Sequence, residues 1–158
     1  MLILGAGGAL GLVAVQLAHA AGARVIGAGR SGVKSAVMEA GADSFADVEQ
    51  AGWENTVGRV DVVHDLVGGD VLAQAQASIK PGGALVTVVS PPAEPRGDIR
   101  IVNFIRDPNG PELKELARMV DEVKLRPQVG AVYPFSEAQT AFSAKDGHRI
   151  GGKVILTP

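Results

Sequence analysis

The first 31 residues, MLILGAGGALGLVAVQLAHAAGARVIGAGRS, admit few folds. A short apolar run, Met1-Leu2-Ile3-Leu4, stops at Gly5, and further glycines stand at 7, 8 and 11. From Leu10 the apolar residues recur at helical spacing: Leu10, Val13, Ala14, Leu17, Ala18, Ala21. Gly22 is placed to close that helix, and Val25-Ile26 begin a second apolar run. The pattern predicts strand, glycine turn, helix, strand. Such a unit gathers unsatisfied backbone N–H groups and the positive end of a helix dipole at one point, where a pyrophosphate can sit.

Three of these glycines have a predicted use. Gly5 turns the chain out of the strand, Gly8 leaves the helix start bare for a phosphate, and Gly11 lets the helix lie close to the strands. The spacing is Gly-x-x-Gly-x-x-Gly over 5, 8 and 11; the strict Gly-x-Gly-x-x-Gly form fails because Leu10 occupies the third glycine position. The set Gly5, Gly8, Ala9, Leu10 and Gly11 is therefore the candidate phosphate cradle, with a ligand-free tight turn as the alternative. A signal peptide fits poorly, since no basic segment precedes the run and the glycines interrupt it. A membrane span is excluded by the same glycines and by amphipathicity.

The second predicted strand, Arg24–Ala28, runs into Gly29-Arg30-Ser31. A dinucleotide fold that takes NAD places an acidic residue near this point to bond the ribose 2′-OH. None is present. Arg30 and Lys34 are cations and Ser31 is a hydroxyl donor, a trio suited to a 2′-phosphate, hence NADP; ordinary solvated charges are the alternative for either cation alone. Beyond it the pattern predicts a helix Val33–Ala40, a strand Asp43–Ala46, a weak helix then loop over 47–58 with Trp53 as a packing residue, and a strand Val60–Asp65. A helix begins at Asp70 and carries Leu72, Ala75 and Ile79. Lys80–Gly83 reads as a turn, Ala84–Val89 as a fifth strand and Ile99–Ile105 as a sixth. Adjacent His64 and Asp65 point to opposite faces of a strand, so they form no catalytic pair; Asp65 is expected to order the loop after the strand or to cap the helix that follows.

Alternating strands and helices ending on a sixth strand predict a doubly wound α/β Rossmann fold, a six-stranded parallel sheet with helices on both faces. The loops Gly5–Gly11, Gly29–Ser31, Leu66–Gly68 and Val89–Pro91 should open on one edge of it, where ligands bind. A helix follows from Asn109 to about Leu125, with Pro111 in its first turn and Leu113, Leu116, Ala117 and Val120 as its buried stripe. The last part differs: Val132–Phe135 is extended, Ser136-x-x-Gln139 reads as a capping box for a helix to about Ala144, and Lys153–Leu156 is a strand. With six strands already placed, these two need a partner outside that sheet. Residues 1–128 are thus one domain and 129–158 a separate segment.

At 158 residues the chain is long enough to bury a real core. Its formal charge of −2 gives no footprint for nucleic acid or an anionic membrane. It contains no cysteine, which removes disulfides, thiolate nucleophiles and thiolate metal ligands. A cytoplasmic location is the default expectation.

Taken in order, the motifs resemble the nucleotide-binding half of the medium-chain dehydrogenases/reductases, in particular the zinc-independent, quinone oxidoreductase-like type. The matching pieces are Gly5–Gly11 with Ala14-Val15-Gln16-Leu17-Ala18, Gly41-Ala42-Asp43, Val60–Val63 with Asp65 and Val67-Gly68-Gly69, Ile79–Gly83, Leu125-Arg126-Pro127, Gly147-His148 and Gly152-Lys153-Val154. Ala9 and Leu10 stand where glycine and valine are usual, and Ile150-Gly151 spaces the last segment differently, which bears on Arg149.

The resemblance implies that Gly8, Ala9 and Leu10 lie under the pyrophosphate, that Val67 and Ser90 flank the riboses, and that Phe104 to Arg106 border the nicotinamide. It implies a dimer through the edge strand Ile99–Ile105. It also implies a GroES-like catalytic domain, absent here, to which residues 129–158 would return, so that the chain is a fragment. The implied activity is hydride transfer from NADPH to a quinone, enone or carbonyl in the parent protein, with no catalytic residue and no metal ligand in this chain. Two alternatives are an S-adenosylmethionine-dependent methyltransferase, whose turn before the fifth strand Ile79–Leu85 resembles, and a non-catalytic cofactor-binding or dimerisation module. Tyr133 lacks the lysine four residues on that a short-chain dehydrogenase uses.

Overall fold

The computed structural model describes residues 1–104, 107–146 and 152–158, without the side chains of 145 and 146. The first strand, β1, is Leu2–Leu4, followed by α1 (Ala9–Ala20) and β2 (Ile26–Gly29). Next come a 3-10 turn Ser31–Val33, α2 (Lys34–Glu39), β3 (Ser44–Asp47), α3 (Glu54–Val57) and β4 (Val60–Asp65). Then follow α4 (Gly69–Ala75), β5 (Ile79–Thr87), β6 (Arg100–Asn103) and α5 (Gly110–Asp121). The last elements are β7 (Val129–Pro134), α6 (Ala138–Asp146) and β8 (Lys153–Thr157).

β1 to β6 form one parallel sheet in the order β3-β2-β1-β4-β5-β6. β1 is central and wholly buried because both neighbours are strands and helices cover both faces. On one face Leu12, Val15, Val37 and Ala42 pack with Ile3 and Val25. On the other Trp53, Val57, Leu72 and Ala75 pack with Leu2, Leu4, Val63 and Leu85. The doubly wound sheet expected from the alternation is the one observed. Trp53 is the packing residue expected, buried with its indole N–H donating to Gln74 Oε1 at 2.8 Å.

Several local expectations are corrected. Residues 80–83 are not a turn: β5 begins at Ile79, whose side chain is fully buried beside Val60, and absorbs Lys80–Gly83 through an irregularity in register. Arg59 and Arg96 donate to the Ile79 carbonyl, at 3.1 and 2.9 Å, and fix the start of the irregular stretch, in which Gly82 has φ +75°. Ile79 therefore belongs to the strand, not to α4. Over 47–58 turns come first and a one-turn helix, α3, comes last. β6 is four residues long, shorter than Ile99–Ile105; Ile105 lies outside the described residues.

The stripe on α5 is not buried. Leu113 is 68% exposed, and Leu116 and Val120 are also exposed. The amphipathic pattern is present, but none of the described elements covers that face. Asn109 caps the helix by accepting from the Glu112 N–H at 3.2 Å. The capping box fails in detail: Ser136 lies inside a 3-10 turn, Phe135–Glu137, that has no side-chain cap, and α6 starts at Ala138. β7 and β8 pair with each other, parallel, in a separate two-stranded sheet. They do lie outside the large sheet, as expected. Gly147-His148, Arg149 and Ile150-Gly151 fall outside the described residues.

Candidate functional site

The strand ends converge because their registers are level. Leu4 lies beside Ala28 on one side and Asp65 on the other; Asp65 lies beside Thr87, and Thr87 beside Asn103. All the loops that leave these ends therefore open on one edge. Strand order reverses between β1 and β4, because the chain winds outward from β1 through β2 and β3, then returns to the far side. At such a point adjacent loops diverge and leave a crevice.

The floor of the crevice is the turn Gly5–Gly8. Gly5 has φ +76°, and a Cβ there would come within 2.8 Å of Val67 Cγ2, so only glycine lets the chain double back at that spot. The Gly5 and Ala6 N–H groups both donate to the Ala28 carbonyl at 3.0 Å, which ties the turn to β2. Gly8 is exposed at the N-cap of α1, and its own N–H donates back to Gly5 O at 3.0 Å. The first helical bond is Leu12 N–H to Gly8 O. The N–H groups of Ala9, Leu10 and Gly11 are thereby left at the open helix end without an intrahelical acceptor. Leu10 is 58% exposed at the mouth. Gly11 is buried, and a Cβ there would fall 2.1 Å from Gly5 O, so its role is the approach of helix to turn backbone rather than of helix to strands.

Val33 clamps the second wall to this floor. A Cβ at Gly7 would lie 2.3 Å from its Cγ2, and one at Gly29 2.9 Å, so Val33 occupies the space those two glycines leave. The 3-10 turn Ser31–Val33 is thus held beside the glycine turn. Arg30, Ser31 and Lys34 are all exposed there. Ser31 already has a partner that sequence reasoning missed: its N–H and hydroxyl donate to one oxygen of Glu49, at 3.1 and 2.9 Å. Glu49 stands in the turn after β3, where its N–H donates to Asp47 Oδ1 at 3.0 Å.

The third wall comes from the ends of β4 and β5. Asp65 is fully buried. Its Oδ1 accepts from the N–H groups of Val67 (3.0 Å) and Gly68 (2.9 Å), and its Oδ2 from the Thr87 hydroxyl (2.7 Å). The Thr87 hydroxyl oxygen in turn accepts from the Val89 N–H at 3.1 Å. Asp65 thus orders the loop as the sequence implied, and Thr87, unremarked there, is its partner. Val67 and Ser90 are exposed on the two loops this pair holds. Phe104 is exposed past the end of β6, its N–H donating to Thr87 O at 2.9 Å. Arg106 lies outside the described residues.

A fourth wall could not be read from local sequence. Gln16 on α1 grips the backbone of Arg126 twice, donating to its carbonyl at 3.1 Å and accepting its N–H at 2.8 Å. This brings Gln128–Gly130 over the crevice. The resulting cleft, about 550 Å³, is lined by Gly7, Leu12, Arg30–Val33, Ala36, Glu49 and Gln128–Gly130. A second hollow of about 470 Å³ along α6 is lined by Gln139, Thr140, Ser143 and Ala144, without a titratable side chain among them. His64, half-buried on β4, has its imidazole held below the ordinary range by burial, against a weaker opposite pull from the neighbouring Asp65 charge.

The family model for zinc-binding dehydrogenases matches residues 40–156. The chain belongs to the zinc-binding dehydrogenase family. The resemblance to the medium-chain dehydrogenases/reductases read from the sequence is borne out. Among its relatives are the 2-methylene-furan-3-one reductase of Solanum lycopersicum and the chloroplastic NADPH-dependent alkenal/one oxidoreductase of Arabidopsis thaliana. Each is 32% identical over the whole chain, which spans 40% of each relative. The quinone oxidoreductase from Coxiella burnetii is 27% identical and superposes with a TM-score of 0.87 over 99% of this chain and 52% of its own. The chain therefore spans about half the length of the proteins it matches. Membership decides against the methyltransferase reading.

The family's zinc finds no fit among the described residues. There is no cysteine, and among the described residues no group of three His, Asp or Glu side chains comes together. Nor, among the described residues, is any helix long and apolar enough to cross a membrane.

Proposed function

We propose that this chain is the NADP(H)-binding part of an oxidoreductase that delivers hydride to a quinone, enone or carbonyl substrate. The carrying observation is the exposed N-terminus of α1 opening, behind the Gly5 turn, where the strand order reverses. The bare N–H groups of Ala9, Leu10 and Gly11, behind the exposed Gly8, suit a pyrophosphate. The exposed cations Arg30 and Lys34, with Ser31 between them, suit a 2′-phosphate. Val67 and Ser90, exposed on the loops after β4 and β5, would flank the riboses, and Phe104, exposed past the end of β6, would border the nicotinamide, the role the resemblance also gives to Arg106. NADPH bound there supplies the hydride, and the protein's share is to orient it and exclude competing reactions.

The names of the plant reductase relatives support the substrate class and, for the Arabidopsis protein, the cofactor. Residues 129–158 read as a segment that completes against a further, GroES-like domain. In support, β7 and β8 form only a two-stranded sheet, of a size that is marginal alone, and α5 leaves an apolar face open. β6 is an unpaired sheet edge of four residues, to which a second copy could add; sizing chromatography with and without a proline at Ile101 tests the dimer. We place the protein in the cytoplasm by default; fractionation of cells expressing the full-length parent decides this.

Titration of the chain with NADPH and NADH, followed by nicotinamide fluorescence, tests the reading. NADPH is expected to bind more tightly, with no appreciable turnover of either by this chain alone. A clear preference for NADH would refute the role given to Arg30, Ser31 and Lys34. Binding of neither would refute the site. Turnover by the full-length parent separates the enzyme from a non-catalytic cofactor-binding module.

A further inference from the structure

We propose that Glu49 sets the cofactor preference of this crevice. Its carboxylate occupies the donor pair that a 2′-phosphate needs, and it must leave before NADPH can seat. The inference rests on reading the crevice as a dinucleotide site.

The observation is the double donation from Ser31. Backbone N–H and side-chain hydroxyl converge on a single oxygen, Glu49 Oε2, at 3.1 and 2.9 Å. Two donors from one residue aimed at one anionic oxygen make a small anion receptor, here filled by an anion of the chain itself. The occupant is positioned, because the Glu49 N–H is anchored on Asp47 Oδ1 at the end of β3, and β3 is in register with β2. The two cations flanking the receptor, Arg30 and Lys34, form no ion pair among the described residues. Glu49 thus takes the donors of Ser31 and leaves both cations unpaired.

The chemistry of the two cofactors differs at this spot alone. A ribose 2′-OH is a hydrogen-bond donor, and a carboxylate is acceptor-only. Glu49 Oε1 accepts nothing among the described residues, so it is open to that hydroxyl while Oε2 stays on Ser31. A 2′-phosphate has no such proton to give at neutral pH and carries close to two negative charges. It would compete with Glu49 for Ser31 and be repelled by it at short range. Seating NADPH therefore requires the Glu49 side chain to swing out. Arg30 and Lys34 favour the phosphate, and Glu49 lowers the preference that they alone would give.

The test is Glu49→Gln, which keeps the size and an oxygen for Ser31 but removes the charge. The full chain is titrated with NADPH and NADH, and with 2′,5′-ADP and 5′-AMP to isolate the adenosine end. The ratio of NADPH to NADH affinity is expected to rise about tenfold, from loss of one short-range like charge and one hydroxyl acceptor; the ratio for the two adenosine phosphates should move in parallel. Combined with Ser31→Ala, the gain should shrink, because the contested receptor is gone. If Glu49→Gln fails to fold, Glu49→Ala carries the same expectation. An unchanged ratio in a folded variant that still binds both cofactors overturns the role of Glu49 alone. Binding of neither cofactor by the unsubstituted chain overturns the site and this inference together.

Discussion

Replacing Asp65 by alanine tests whether the mouth of the crevice is built as described. The change leaves three donors without their acceptor: the N–H groups of Val67 and Gly68 and the hydroxyl of Thr87. Val67 is 47% exposed, so water can reach its N–H. The other two bonds are buried, and each orphaned group costs about 1–3 kcal/mol. Release of a buried carboxylate offsets part of this. The net loss should be about 3–4 kcal/mol, a large share of the ~5–15 kcal/mol typical of a domain.

Asp65→Asn should cost only about 1 kcal/mol. Its oxygen still accepts from Val67 and Gly68, and its amide can donate to the Thr87 oxygen. Urea unfolding of the three proteins is the assay. With a slope of about 2 kcal/mol/M, the alanine variant's midpoint should fall by roughly 1.5–2 M. Amide exchange at Val67, Gly68 and Val89 should speed up ahead of the sheet. An alanine variant within about 1 kcal/mol of the parent, or an asparagine variant equally damaged, would show that the Asp65–Thr87 pair does not hold these loops.

Two further expectations concern single side chains. Val123, just past α5, has φ +58°, a conformation disfavoured for a β-branched residue, and its side chain is 60% exposed. Val123→Gly relieves strain worth about 1–2 kcal/mol and loses little burial, so thermal melting should rise by a few degrees; a fall would refute the strain. His64 is held below its ordinary value by burial, so the unfolded chain takes up a proton near pH 6.5 that the folded chain resists. Its stabilising contribution is complete above about pH 6.5 and is lost as the pH falls towards the lowered folded value. Urea midpoints at pH 7.5 and 5.5 should show that drop in the parent and less of it in His64→Gln; an equal drop in both would exclude His64 as its source.

Much of the fold was legible because its signals are local. The apolar runs at Met1–Leu4 and Val60–Asp65 are short and bounded by glycine or by a turn, and both are strands with nearly those limits, Leu2–Leu4 and Val60–Asp65. Gly22 was legible for the same reason: its N–H and that of Ala23 close α1 on His19 and Ala18. Lys80-Pro81-Gly82-Gly83 misled, because β4 pairs on both sides of it, at Ile79 and at Ala84, and so takes it into β5 as an irregularity instead of leaving it as a turn between elements. Leu113, Leu116 and Val120 misled in the opposite sense. A helical stripe shows that a face is apolar, not which surface covers it.

The same division runs through the site. Strand, turn and helix at residues 1–20 are encoded within one stretch, since backbone conformation and helix ends depend on near neighbours; the glycine turn, the open helix start and the position of Arg30, Ser31 and Lys34 just past β2 could therefore be read from residues alone. The contact of Glu49 with Ser31 spans 18 positions, that of Asp65 with Thr87 spans 22, and that of Gln16 with Arg126 spans 110. No periodicity carries such pairings. They exist only once the parallel sheet has set its strand ends level, and that is how a carboxylate far along the chain comes to lie on the donors of Ser31.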